Sequence, residues 1–388
     1  MPMDPRNPVD LTQALIRCPS VTPDEGGALT FIEQVLKPAG FTCHRLTMRE
    51  AGTPDVENLY ARIGTEGPHV CFAGHTDVVP VGDAAAWTHA PFGGVIDGGM
   101  LYGRGAVDMK GGIACFIAAT LRHVAAHPKR GSISFLITGD EEGPSINGTM
   151  KVLDWMAERG EKLDAAIVGE PSNPQALGDE IKIGRRGSLN GELVVAGRQG
   201  HVAYPQIADN PVPKLARLID RLSSTPLDTG TLDFQASSLQ FTVISAPNTA
   251  TNVIPAEARA KFNVRYNDLW RRPKVEAWVH EQCAAAAKSI NAGYTLSFSG
   301  TGEVFLTQPG PLVDTMVAAV REVTGRTPAL TTAGGTSDAR FIQAHCPVIE
   351  FGLVNATIHA VDECVAIADL EALTEVYERF LAHFFAMA

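Results

Sequence analysis

Between Asn58 and Val168, short strand-like runs alternate with stretches of helical period. Asn58–Ile63 and His69–Ala73 read as strands. Gly111–Ala126 carries Ile113, Ile117, Leu121 and Val124 on one stripe and reads as a helix. Ser132–Thr138 (SISFLIT) reads as a nearly buried strand, Asn147–Glu158 as a second helix and Asp164–Val168 as another strand. This rhythm predicts an α/β fold: a mostly parallel sheet with helices on both faces. Acids and histidines cluster just beyond the runs. His75 and Asp77 follow the second strand, Glu141 and Glu142 follow SISFLIT, and Glu170 follows Asp164–Val168. In an open α/β sheet, ligands gather beyond the carboxyl ends of the strands.

The texture changes near Gly184. Leu189–Val195, Leu239–Ile244, Ala258–Tyr266 and Tyr294–Ser299 read as strands, with helices at Pro213–Ser223 and Lys274–Ile290. Ala258–Tyr266 alternates apolar and polar residues, as in a half-exposed antiparallel strand. From Pro311 the helix–strand rhythm returns. A chain of 388 residues exceeds the ~250–300 at which a single core stops growing. The simplest partition is a catalytic domain in two parts, 1–184 and 301–388, interrupted by an inserted α+β domain over 185–300.

Composition narrows the function. The net charge of −11 disfavours non-specific binding to nucleic acid or to anionic membranes. It also requires a locally basic pocket for any anionic substrate. The opening MPMDPRNPVD has no apolar signal core, and no run of about 18 apolar residues occurs. A cytoplasmic protein is expected. Seven cysteines are scattered singly without a CxxC and read as reduced, mostly core residues.

Each chemical motif has a bland alternative. In GHTDVVP, His75 and Asp77 share one side of an extended segment, so one can bind a cation while the other orients it; alone, this is a loop histidine beside a solvated acid. Asp108 in DMKGG can bridge two cations with its two oxygens, or merely cap the next helix. The adjacent Glu141 and Glu142 repel each other unless compensated. One can ligate while the other serves as general base, or both can form an acidic turn. Pro171 keeps Glu170 out of helical geometry. His359 stands far off in TIHAVDE. The combination outweighs the separate alternatives. Two divalent cations bring +4 against −3 from Asp108, Glu142 and Glu170, so one hydroxide balances the set. Mixed nitrogen and oxygen donors without cysteine fit catalytic zinc rather than a structural or iron–sulfur site.

With these motifs, and with GRRGS (Gly184–Ser188), GRQGHVAYP (Gly197–Pro205), NVIP (Asn252–Pro255), GGTSDARF (Gly334–Phe341) and NATIH (Asn355–His359), the whole chain resembles the co-catalytic zinc amidohydrolase and exopeptidase family. That family includes aminoacylases, acetylornithine deacetylases and desuccinylases. The resemblance implies two Zn2+ per subunit, with Co2+ able to substitute. His75, Asp108 and Glu170 would hold one ion; Asp108, Glu142 and His359 would hold the other. Asp77 would support His75, and Glu141 would be the general acid/base. The peptide bond after Asp108 would be cis. The inserted domain would be a lid and a dimerisation element in a homodimer. His201 would reach across the dimer interface to stabilise the oxyanion, and Asn252 would likewise serve the neighbouring subunit. The implied substrate is an anionic N-acyl amino acid, with an N-succinylated diamino acid favoured by GRRGS and GHVAYP. An N-acetyl amino acid or a dipeptide is the alternative. Arg185 and Arg265 are candidates for its carboxylates, since an arginine fork matches a carboxylate well. Thr336 and Asn355 would be polar contacts, while Arg186 and Arg340 read as solvated charges. A non-catalytic metal-dependent binding protein is the rival from another class. A free Glu141 beside Glu142 argues against it, because binding an ion needs no spare base.

Overall fold

The computed structural model describes residues 3–127 and 131–387. The chain forms two compact units. One comprises the chain up to Ile183, Thr307–Thr331 and Ser337 onward; the other comprises Gly184–Leu306 and Thr332–Thr336.

The first unit is built on an eight-stranded sheet. Its order is Thr42–Met48, Val56–Ile63, Ser132–Thr138, His69–His75, Ala165–Val168, Val348–Glu350, Glu180–Lys182 and Ala329–Thr331. The centre is parallel, from Ser132–Thr138 through His69–His75 and Ala165–Val168 to Val348–Glu350. The Thr42–Met48 and Val56–Ile63 strands join it antiparallel, so the sheet is mixed. All residues of His69–His75 and Ser132–Thr138 are buried. Successive side chains point to opposite faces, so both faces of these strands are covered. Helices Lys110–Ala126 and Ile367–Ala386 pack against each other, and Pro311–Thr324 packs against the latter. A ring cluster joins layers: Phe72 stacks on Phe116 at 4.4 Å, and Phe116 meets Tyr377 at 5.1 Å.

The second unit is a four-stranded antiparallel sheet ordered Ser238–Ser245, Glu257–Tyr266, Gly187–Ala196 and Tyr294–Gly302. Glu257–Tyr266 alternates buried with less buried residues, as its sequence pattern predicts. The buried set packs with helices Pro211–Ser224 and Arg272–Ile290 through Leu193, Leu218, Phe262, Val264 and Val279. In the register, Gly191 lies opposite Phe262 and Gly187 opposite Tyr266. Each ring occupies the space a side chain would take: a Cβ at either glycine would lie 2.1 Å from it.

All seven cysteines are free, and Cys71, Cys115, Cys283 and Cys346 are buried. Among the described residues, no helix is long and apolar enough to cross a membrane.

Candidate metal centre

Three neighbouring parallel strands deliver the first donors at one level. His75 ends the His69–His75 strand and pairs with Thr138, the last residue of Ser132–Thr138, so the Glu141–Glu142 turn leaves beside it. Glu170 follows the adjacent Ala165–Val168 strand. Asp108 precedes the Lys110–Ala126 helix, whose start lies close against the strand ends: a Cβ at Gly112 would fall 2.6 Å from the Gly169 carbonyl oxygen. The glycines of DMKGG therefore permit an approach that any side chain would block. Asp108 does not cap this helix. Met109 holds that position without a side-chain hydrogen bond, and the Asp108–Met109 peptide is cis.

Asp108 sits between two imidazoles. Its Oδ1 is 3.1 Å from His75 Nε2, and its Oδ2 is 3.3 Å from His359 Nε2. His75 Nε2 also lies 3.7 Å from Glu170 Oε1, and His359 Nε2 lies 2.7 Å from Glu142 Oε1. The donor atoms of His75, Asp108 and Glu170 are thus mutually close, as are those of Asp108, Glu142 and His359. A third trio, His75 with Glu141 and Glu142, overlaps both. The cluster is deep at His75, whose side chain is 1% exposed, and opens at His359, 47% exposed.

The electrostatics of the cluster follow from these distances. Burial disfavours the charged His75, yet the hydrogen bond to Asp108 and the Glu170, Asp108 and Glu141 carboxylates carry its pKa well above the usual value. Hydrogen bonds to Asp108 and Glu142 raise His359 to about 10. Burial, then Asp108 and Glu141, push Glu170 well up; burial, with Asp338, Glu142 and Asp108, lifts Glu141 to about 8 despite His75. Burial also acts on Asp108, but the two histidines hold it far below the carboxylate range. The acids thus favour positive charge on both imidazoles. Two imidazoles, three ligating carboxylates and no thiol suit cations of the zinc type, so the residues present fit a pair of such ions.

The hydrogen bond to His75 Nδ1 differs in one respect from expectation. His75 Nδ1–H donates to the main-chain carbonyl of Asp77 at 2.8 Å, while the Asp77 carboxylate stays 3.7 Å away. That carboxylate faces the other loop, accepting the N–H groups of Glu141 at 3.3 Å and Glu142 at 3.0 Å. Its pKa rises to about 6 through burial, moderated by His75 and those two amides. Asn355, also in the first unit, donates its main-chain N–H to the Asn173 carbonyl at 2.8 Å.

The remaining expected residues belong to the second unit. His201 and Asn252 are exposed and adjacent: Val202 N–H donates to the Asn252 carbonyl, and His201 Nδ1 accepts from Ala203 N–H. Arg185 is buried and donates to the Ala333 carbonyl at 2.9 Å, in the segment that carries Thr336. Arg265 is half-buried in the middle of the sheet, opposite Ser188 and Ser238. Two expectations of solvated charge fail. Arg340 is 11% exposed, 4.0 Å from Asp338 and over the Phe341 ring; Arg186 is half-buried. Glu363 was missed by the sequence reading. It is fully buried and accepts hydrogen bonds from Arg104, Gly105, Val107 and Asp108. Its place four residues after His359 in TIHAVDE is the only sequence signal for it.

The family model described as Peptidase family M20/M25/M40 matches residues 71–383. A succinyl-diaminopimelate desuccinylase of Bradyrhizobium sp. is 58% identical over 97% of this chain and 98% of its own. One from Methylorubrum populi is 58% identical over 99% of this chain and 100% of its own. Among solved structures, the M20 family metallo-carboxypeptidase Sso-CP2 from Sulfolobus solfataricus superposes with a TM-score of 0.80 at 18% identity, covering 98% of this chain and 99% of its own. Aminopeptidase PepT from Bacillus cereus gives 0.79 at 20% identity, with 98% and 99% covered. At such identity these two speak for the fold alone.

Proposed function

The chain belongs to peptidase family M20/M25/M40, and from that membership and the geometry above we propose that it is a dinuclear zinc amidohydrolase that cleaves N-succinyl-diaminopimelate to succinate and diaminopimelate, a step towards diaminopimelate and lysine. The observation that carries the chemistry is Asp108, with one oxygen towards each imidazole and a further carboxylate, Glu141, close by. The substrate is carried by full-length relatives of that name.

His75, Asp108 and Glu170 would hold one ion, and Asp108, Glu142 and His359 the other. When bound, such ions supply Lewis acidity and make water a stronger acid at neutral pH. Glu141 does the proton work. Nearby cations favour its ionised form over the raised pKa of the ion-free site. Its carboxylate takes the proton from water as oxygen attacks the succinyl amide carbon, then passes that proton to the departing nitrogen as the C–N bond breaks. Asp77 holds Glu141 and Glu142 by their main-chain amides, which fixes where each carboxylate can reach.

We read the protein as a cytoplasmic homodimer. The edge strand Ser238–Ser245 leaves Val243 45% and Ile244 65% exposed, and an open edge with apolar side chains is suited to a second copy. His201 would then steady the oxyanion and Asn252 contact substrate in the neighbouring site. Arg185 and Arg265 would take substrate carboxylates, with Thr336 and Asn355 as polar contacts.

The test is zinc-loaded protein offered diaminopimelate carrying either a succinyl or an acetyl group, scoring free amine. A pocket that pairs with the distal carboxylate should favour the succinyl compound by roughly ten-fold or more in kcat/KM. Equal rates, or cleavage of dipeptides alone, would reject the desuccinylase reading.

A further inference from the structure

Arg104 and Glu363 form an ion pair 2.8 Å long inside the first unit, with Arg104 2% exposed and Glu363 fully buried. Neither was among the donors or the base. Glu363 Oε2 takes Arg104 Nη1–H and the Gly105 N–H at 3.0 Å; Oε1 takes Val107 N–H at 2.9 Å and Asp108 N–H at 3.2 Å. Gly103 N–H donates to the Glu363 main-chain carbonyl at 2.9 Å. One residue of the His359 loop therefore grips the whole peptide that leads into Asp108. Arg104 returns the grip, since its Nη2 points to the carbonyls of His359 at 3.4 Å and Pro80 at 3.5 Å.

The loop needs holding. His359 and Asp362 have φ of +58° and +59°, the left-handed region that non-glycine residues enter at a cost. His359 is nearly half-exposed, so packing does little to place its ring. Its neighbours are tied instead. The Asp362 carboxylate accepts Thr88 N–H and Oγ1–H, both at 2.7 Å, and Cys364–Ala366 pairs with the Met100–Tyr102 strand.

We propose that the Arg104–Glu363 pair is a positioning device for the second cation: it locks the His359 loop to the Asp108 loop and so sets the gap that His359 and Asp108 span. The inference rests on the two-ion reading above. His75 and Glu170, which with the shared Asp108 would hold the first ion, make none of these contacts, so the device bears chiefly on the ion that needs His359.

The experiment titrates ion-free protein with Zn2+ alone by calorimetry and counts retained metal after desalting. Unaltered protein should bind two ions per chain. Glu363→Gln keeps the size of the side chain but removes its charge. It should keep the first ion at near-normal affinity and weaken the second by about 10–100-fold, the usual effect of losing a partner behind a ligand. His359→Asn provides the reference pattern for loss of the second ion. If Glu363→Gln fails to fold by circular dichroism, Arg104→Lys is scored the same way, since it keeps the buried charge but loses the fork. Two ions bound with unaltered affinity would overturn the proposal, and so would equal weakening of both. Unaltered protein binding fewer than two ions would instead count against the two-ion reading.

Discussion

A carboxylate that receives two main-chain amides is fixed in direction, and Asp77 is such a group. Asp77→Asn leaves a single acceptor oxygen for two N–H donors. It should lower kcat by about 10–100-fold through misplacement of the loop it holds, and cost about 1–3 kcal/mol of stability for the unpaired buried donor; steady-state kinetics beside a melting curve checks this. Glu141→Gln should retain both ions by elemental analysis yet lose roughly 10²–10⁴-fold in turnover, the range for a missing general base. A separate histidine contributes to the loss of stability in acid. Burial, with Arg62 nearby, lowers the pKa of His69, whose ring nitrogens meet the Lys162 carbonyl and Ser134 Oγ. Its folded pKa lies below its unfolded value of ~6.5, so the unfolded chain takes up a proton first as pH falls. The stability contributed by neutral His69 is complete above that value and declines below it. His69→Gln should flatten this part of the pH dependence, as read by urea unfolding between pH 7 and 5. At this scale the ligand-type residues were legible because their types are rare after apolar runs. The partner of His75 Nδ1 was not, since a main-chain carbonyl leaves no mark in the sequence. Glu363 was not legible either, because a buried acid bonded to amides looks like any acid in a loop.

Strands buried on both faces were plain from the sequence. Ser132–Thr138 has the predicted bounds, and the Lys110–Ala126 helix begins one residue early. The first fifty residues were harder. Thr42–Met48 is an edge strand without a fully buried position, so its sequence TCHRLTM has no need of alternation. The Ala28–Leu36 helix follows a glycine in left-handed geometry and lacks a capping side chain. The three-residue strands Glu180–Lys182 and Ala329–Thr331 are too short to carry a period. In the second unit, the opposed glycine and aromatic residues give an element-scale test. Gly191→Val would force the Phe262 ring aside and should cost about 1–3 kcal/mol as overpacking. The unfolding midpoint in urea should fall with little change in slope.

For the whole molecule, ion binding and folding are linked. An ion present at about a hundred times its Kd stabilises the native chain by ~2.7 kcal/mol, so chelation should lower Tm by several degrees and added Zn2+ should restore it. Scanning calorimetry at fixed chain concentration is the check. The shared-site reading of the dimer has its own test. His201→Ala and Glu141→Gln proteins, each nearly inactive alone, should regain up to about a quarter of normal activity when unfolded together and refolded, since one site in a mixed dimer has both groups intact. No recovery would place His201 in its own chain's site or in none.

The spacing of the donors along the chain also orders events during synthesis. His75, Asp108 and Glu170 are all made at least 189 residues before His359. At ~5–20 residues per second this separates the two trios by roughly ten to forty seconds on the ribosome. A nascent chain in that interval owns every member of the first trio but lacks His359, so the second set of donors is complete only when the chain is nearly finished.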